Sequence, residues 1–238
     1  EKRFSKGLTF ISSYTWSHAI DQGEESLDEN LSARASEYDR RNERGNSSLD
    51  RRHNLGASFT YELPFGRGQR FLNSDSRVLN AVVSGWRVNG FLKYNSGVPL
   101  SIVGGAGNLG AVGYTQRGNA VPGVSPYKTT SPRDFDPARD RFLNPDAFAT
   151  STGFNFGNLA PTLSWVRGFW GKQEALTVGR LFKIREGMNF DFSVDATNPF
   201  NFVRWANPNT NRLSSQAFGT VTSAAAGRTL QVNGALKF

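Results

Sequence analysis

The chain has 238 residues, a formal net charge of +8, 37% hydrophobic and 13% aromatic residues, 25 glycines and no cysteine. That length allows one large domain or two small ones, and the missing cysteines exclude disulfides and thiolate metal sites. The basic residues are scattered among acids, as at Arg40, Arg41, Arg44, Arg51, Arg52, Arg133, Arg139 and Arg141, so no basic, ring-studded face for nucleic acid is expected.

Many rings and glycines with few aliphatics suit a chain of strands and turns that carries large rings on an apolar surface. No apolar run approaches the roughly 18 residues of a transmembrane helix. The mean hydropathy of -0.47 is no obstacle to a membrane barrel, whose strands alternate apolar and polar side chains. Met188 is the sole methionine, so an exported protein would have lost its targeting segment or carry it upstream of Glu1.

Glu1-Lys2-Arg3-Phe4 is expected to end an earlier strand, and Phe4-Ser5-Lys6-Gly7 to make a tight turn. From Leu8 to Ser17 one parity reads Leu8, Phe10, Ser12, Tyr14, Trp16, with Ser12 and Ile11 breaking the alternation. The next strand is cleaner: Leu55, Ala57, Phe59, Tyr61, Leu63 against Asn54, Gly56, Ser58, Thr60, Glu62. Pro64 to Gly85 is longer than a simple turn, and residues 77–83 predict a helical turn. Trp86 to Asn95 sets Trp86, Val88, Gly90, Leu92, Tyr94 against Arg87, Asn89, Phe91, Lys93, Asn95.

The strand from Leu176 to Ile184 is the weakest, because Arg180 falls on its apolar parity. Either Arg180 lies at a membrane rim and snorkels, or a bulge shifts the register there. After the turn Arg185-Glu186-Gly187-Met188, the segment from Phe190 to Thr197 alternates again. The last strand places Leu230, Val232, Gly234, Leu236 and Phe238 on one parity.

These segments are about ten residues long, which is what a tilted strand needs to cross a bilayer; soluble sandwich strands usually run about five or six. Tyr14, Trp16, Tyr61, Trp86 and Tyr94 stand near strand ends on the apolar parity, where interfacial girdles belong. Short turns alternate with long polar connections, His18 to Arg52, Pro99 to Gly171 and Asn198 to Gly227, as periplasmic turns alternate with external loops. The predicted fold class is all-β: an antiparallel transmembrane β-barrel segment of about six to eight strands with long extracellular loops. Roughly six full strands are too few to close a barrel, so the whole of 1–238 is expected to be part of a larger one.

The stretches YTWSHAID (14–21), RGNSSLDRRHNLGASFTYELPFGRGQRF (44–71), GWRVNGFLKYNSGVP (85–99), LFKIREGMNFDFSVDATNPFNF (181–202), and FGTV with GRTLQVNGALKF (218–221 and 227–238) resemble TonB-dependent outer-membrane receptors. The likeness is to the Oar-like branch, which carries a carboxypeptidase-regulatory-like domain. It implies the C-terminal portion of a barrel of about 22 strands in the bacterial outer membrane. The plug and the remaining strands would lie upstream. The implied role is uptake of a bulky ligand (siderophore, glycan or peptide) without catalysis. The implied partners are outer-membrane lipid, the TonB complex through the N-terminal region, and the barrel-assembly machinery. Leu236 and Phe238 resemble the terminal signal that this machinery reads, although the family's usual glycine falls at Asn233, with Gly234 next. A passive channel or adhesin barrel, and a soluble carbohydrate-binding sandwich, are the competing readings.

Other motifs carry less. Gly105-Ala106-Gly107-Asn108-Leu109-Gly110 spells a dinucleotide fingerprint but lacks the following helix and a suitably spaced acid. His18 and His53 flank the first connection and would approach a carboxylate such as Asp21 or Asp50, but ordinary loop-base residues are the commoner explanation. Asp134, Asp136 and Asp140 lack the glycine and closing glutamate of a calcium loop. No nucleophile elbow or zinc-protease helix occurs, so no enzyme, metal or cofactor is expected. Trp165, Phe169, Trp170 and Trp205 in the connections would either contact ligand or pack the loops together.

Overall fold

The computed structural model describes residues 2–4, 7–21, 41–105, 116–128 and 135–238. Seven strands form one antiparallel sheet in chain order: β1 (Lys2–Phe4), β2 (Leu8–Trp16), β3 (His53–Glu62), β4 (Trp86–Asn95), β5 (Gly171–Arg185), β6 (Met188–Thr197) and β7 (Thr229–Lys237). The six long strands fall where alternation predicts them, with β5 longer at both ends than residues 176–184. The sheet is open, with β1 and β7 as its edges.

The register carries each strand's alternation across the whole sheet. Leu8, Tyr61, Val88, Val178, Val194 and Val232 align in one row. The row beside it is Thr9, Thr60, Asn89, Thr177, Asp195 and Gln231. Successive residues point to opposite faces, so one face is apolar over six strands and the other is polar. On the polar face Thr177 Oγ1 and Asn233 Nδ2 each donate to Asp195, both at 2.6 Å. On the apolar face Phe59 lies across Gly90, where a Cβ would come within 2.1 Å of the ring. Only glycine lets that ring lie down there.

The apolar face has no partner layer. Trp16, Leu230 and Val232 are 64%, 64% and 68% exposed. The remaining sheets are two-stranded pairs inside the long connections. A soluble sandwich would bury such residues against a second sheet, so that reading fails among the described residues.

The connections themselves depart from expectation. Their described residues are not structureless: every fully buried apolar side chain described, Leu143, Phe148, Leu163, Val166 and Phe218 among them, lies in them and none in the sheet. They fold at one end of the sheet into a crown with its own core. Phe142 N donates to Gly219 O at 2.7 Å, joining the second connection to the third. The buried Arg117–Glu43 ion pair joins the second to the first. The third begins with Asn198 and Asn201 in left-handed conformations, and Asn198 Oδ1 accepts from Phe202 N at 2.9 Å, a turn asparagine favours.

The opposite end carries the turns. Glu186-Gly187 closes the β5–β6 hairpin, with Gly187 at φ 76°. Between β3 and β4 the expected helical turn is present as α1 (Arg77–Val83), capped by Ser76, whose side chain accepts from Leu79 N at 3.3 Å. Arg180 pairs with Trp86 and Phe192, and the only irregularity in β5 comes later, between Lys183 and Arg185. The rim explanation for Arg180 therefore holds, not the bulge. Its Nη1 donates to Val82 O at 2.6 Å.

Candidate functional site

A cleft of about 470 Å³ with mixed chemistry lies in the crown, lined by Ile20, Arg44, Asn46, Asn158, Thr162 and Trp165. Its wall is the short strand Leu163–Arg167, whose Leu163 and Val166 are buried while Ser164 and Trp165 face out. One indole face of Trp165 stacks on buried Phe148, with centroids 5.9 Å apart and planes 13° apart, and the residue stays 45% exposed. Opposite, Ile20–Asp21 pairs with Gly45–Asn46. A Cβ on Gly45 would lie 2.8 Å from Thr162 O, and Thr162 Oγ1 donates to Asn46 O. Glycine is what lets these two segments close up.

Asp50 holds this wall. Its side chain is fully buried and accepts from Ala19 N at 2.9 Å, from Asn46 Nδ2 at 2.7 Å and from Arg167 Nη2. Burial pushes its carboxyl up, but the hydrogen bonds from Arg167, Ala19 and Asn46, with the Arg167 charge, outweigh this and hold it below the usual carboxylate range. The cleft thus combines a rigid ring platform, a guanidinium and amides, a set that can stack on a sugar or an apolar group and hydrogen-bond its rim.

The four rings singled out from sequence separate. Trp165 lines the cleft. Phe169 and Trp205 pack into the crown core, Phe169 4.3 Å from Phe142 and Trp205 5.9 Å from Phe135 by ring centroids. Trp170 stacks on His53 at 6.0 Å and 8°. His53 pairs in register with Trp16, and its Nδ1 is hydrogen-bonded to Tyr14 OH at 2.9 Å. Trp170 thereby joins Tyr14, Trp16 and Tyr94 in an aromatic border along the crown end of the apolar face. At the other end Trp86 meets Phe182 and Phe192 edge-on.

His18 does not share a site with His53: its Nε2 is hydrogen-bonded to Asn46 at 3.2 Å, while Asp50 is engaged by Arg167. Among the described residues no group of three potential metal ligands occurs. Of the glycine-rich motif over 105–110, Gly105 bridges Ser151, and residues 106–110 lie outside the described residues. Leu236 pairs with Phe190, and Phe238, beyond β7, is 92% exposed. Sequence reasoning missed Arg44, Asn46 and Asn158 as cleft residues, because nothing in their spacing sets them apart from other loop polar residues.

An open antiparallel sheet with one continuous apolar face, aromatic borders at both ends and a folded crown is the wall of a membrane-spanning β-barrel. The chain belongs to the outer membrane beta barrel domain family, whose family model matches residues 1–231. It therefore resides in the bacterial outer membrane, with the crown extracellular and the short turns periplasmic. No curated protein and no solved structure matches it.

Proposed function

We propose that this chain forms part of the barrel of a TonB-dependent receptor that takes up a bulky ligand and catalyses no reaction. The observation that carries the reading is the pairing of a folded extracellular crown with a sheet whose two edges each lack a neighbour among the described residues. Unpaired backbone groups in lipid cost several kcal/mol each, so β1 and β7 need further strands to complete a barrel, and in a TonB-dependent receptor a plug fills its lumen. The crown cleft, with Trp165 as platform and Arg44, Asn46 and Asn158 as polar contacts, is the outer recognition point. Siderophores, glycans and peptides all suit that chemistry. The polar face, with Asp191, Asp195, Lys93 and Arg87, lines the lumen. The TonB complex would engage an upstream segment, and the barrel-assembly machinery would read Leu236 and Phe238.

The test uses the full-length protein. It should bind the periplasmic domain of TonB and stay closed to ions in a planar bilayer. Steady conductance without TonB binding would identify a passive channel; no conductance and no TonB binding would favour an adhesin.

A further inference from the structure

We infer that α1 is an interfacial anchor whose apolar side inserts into the phospholipids of the periplasmic leaflet. Its position is set from the lipid face. Val82 O accepts both from Trp86 Nε1 at 2.9 Å and from Arg180 Nη1 at 2.6 Å. Trp86 and Arg180 are register partners on the apolar parity, and the Trp86 ring lies against Phe182 and Phe192 of that same face. The helix end is thus bound on the lipid side of the wall, not beneath the lumen.

The helix then presents the right side outward. Residues four apart share a stripe, and Val78 and Val82 are 77% and 61% exposed, with Leu79 beside them at 39%. Asn80, on the opposite side, is tied to the rim loop, its Nδ2 donating to Ser74 O at 2.5 Å. Phe71 and Leu72 of the same connection are 48% and 54% exposed.

Lipid is the occupant that fits. The helix hangs between β3 and β4 at the middle of the sheet, so strands added beyond β1 or β7 cannot reach it, and a plug would sit on the other face. The surface is continuous with the lipid-facing band, and the connection carries Arg67, Arg70 and Arg77 against the single acid Asp75, a balance suited to anionic headgroups. Most barrel turns merely reverse the chain; this one adds a foothold.

The chain has no cysteine, so single cysteines placed in it report cleanly once any cysteine elsewhere in the full-length protein is replaced by serine. Val78→Cys, Val82→Cys, Val232→Cys and Asp146→Cys in the full-length protein would each carry an environment-sensitive fluorophore, in vesicles of phosphatidylethanolamine and phosphatidylglycerol. Val232 reports the barrel's lipid face and Asp146 the exposed crown. An interfacial helix buries its apolar side roughly 5–10 Å into the headgroup boundary, so the labels at 78 and 82 should be quenched by spin-labelled lipid as at 232, with iodide quenching about fivefold below that at 146. Iodide quenching at 78 and 82 equal to that at 146, with 232 still protected, would overturn the inference while leaving the barrel intact. If either helix variant fails to assemble, Leu79→Cys supplies the same readout.

Discussion

Replacing Phe59 by arginine should cripple assembly, whereas the same change at its neighbour Ser58 should be nearly silent. Phe59 lies six positions along β3 from His53, which marks the extracellular border. At about 3.3 Å per residue and a tilt near 45°, that places it about 14 Å below the border, close to the middle of an apolar band about 25 Å tall. Arginine there costs about 2–4 kcal/mol, or roughly 30- to 700-fold in the folding equilibrium at tenfold per 1.4 kcal/mol. The change also strips the ring from Gly90, where it is closely packed. Ser58 faces the lumen between Ile11 and Phe91, both substantially exposed, and an arginine stem can lie across them with its charge in water. Folding of the full-length protein into vesicles, followed by heat-modifiable mobility across a urea series, reads both variants. Equal losses for the two would refute the facial assignment.

Asp50→Asn should loosen the crown by about 3 kcal/mol by leaving Arg167 without its buried partner, seen as faster proteolysis of the connections with the strands still protected. Because the folded carboxyl is held below its usual value, its stabilisation is complete above about pH 5 and is lost as pH falls through the lowered value. Crown proteolysis in the native protein should therefore rise in acid only, and the Asn variant should lose most of that dependence. Deleting Phe238 should slow assembly of the full-length protein in cells by reducing engagement with the assembly machinery; unchanged insertion kinetics would remove that role. If the proposed receptor function holds, Trp165→Ala should weaken binding of whichever glycan, ferric siderophore or peptide the full-length protein selects from a panel by about tenfold, as expected for a lost aromatic contact worth roughly 1.4 kcal/mol. Undiminished binding would move the recognition point away from the cleft.

The strands were legible because lipid imposes a period-two rule that most of their residues obey, Ser12, Ile11 and Arg180 being exceptions. Trp86 to Asn95 is bounded identically by alternation and by hydrogen bonding, and β3 is displaced by one residue. The α1 turn was legible because the Arg77–Val83 segment follows a serine and ends before Ser84-Gly85. The crown was not. Leu100, Phe148, Leu163 and Phe218 are brought together by loop closure over long sequence separations, and no period links them. For the same reason Phe169 and Trp205 could not be told from Trp165 by sequence: all are rings in polar connections, and only packing decides which is buried. Trp170, a connection ring expected either to contact ligand or to pack the loops, does neither: it sits one residue before β5, where it extends the aromatic border.

The most direct measurement is lipid accessibility along β4, the strand at the centre of the sheet. Single cysteines from Trp86 to Asn95, labelled in vesicles, should alternate: labels at Trp86, Val88, Gly90, Leu92 and Tyr94 quenched by lipid-borne quencher, and labels at Arg87, Asn89, Phe91, Lys93 and Asn95 reached from water. Labels on both parities reached equally from water, or both shielded from water and lipid alike, would contradict a barrel wall built from this sheet.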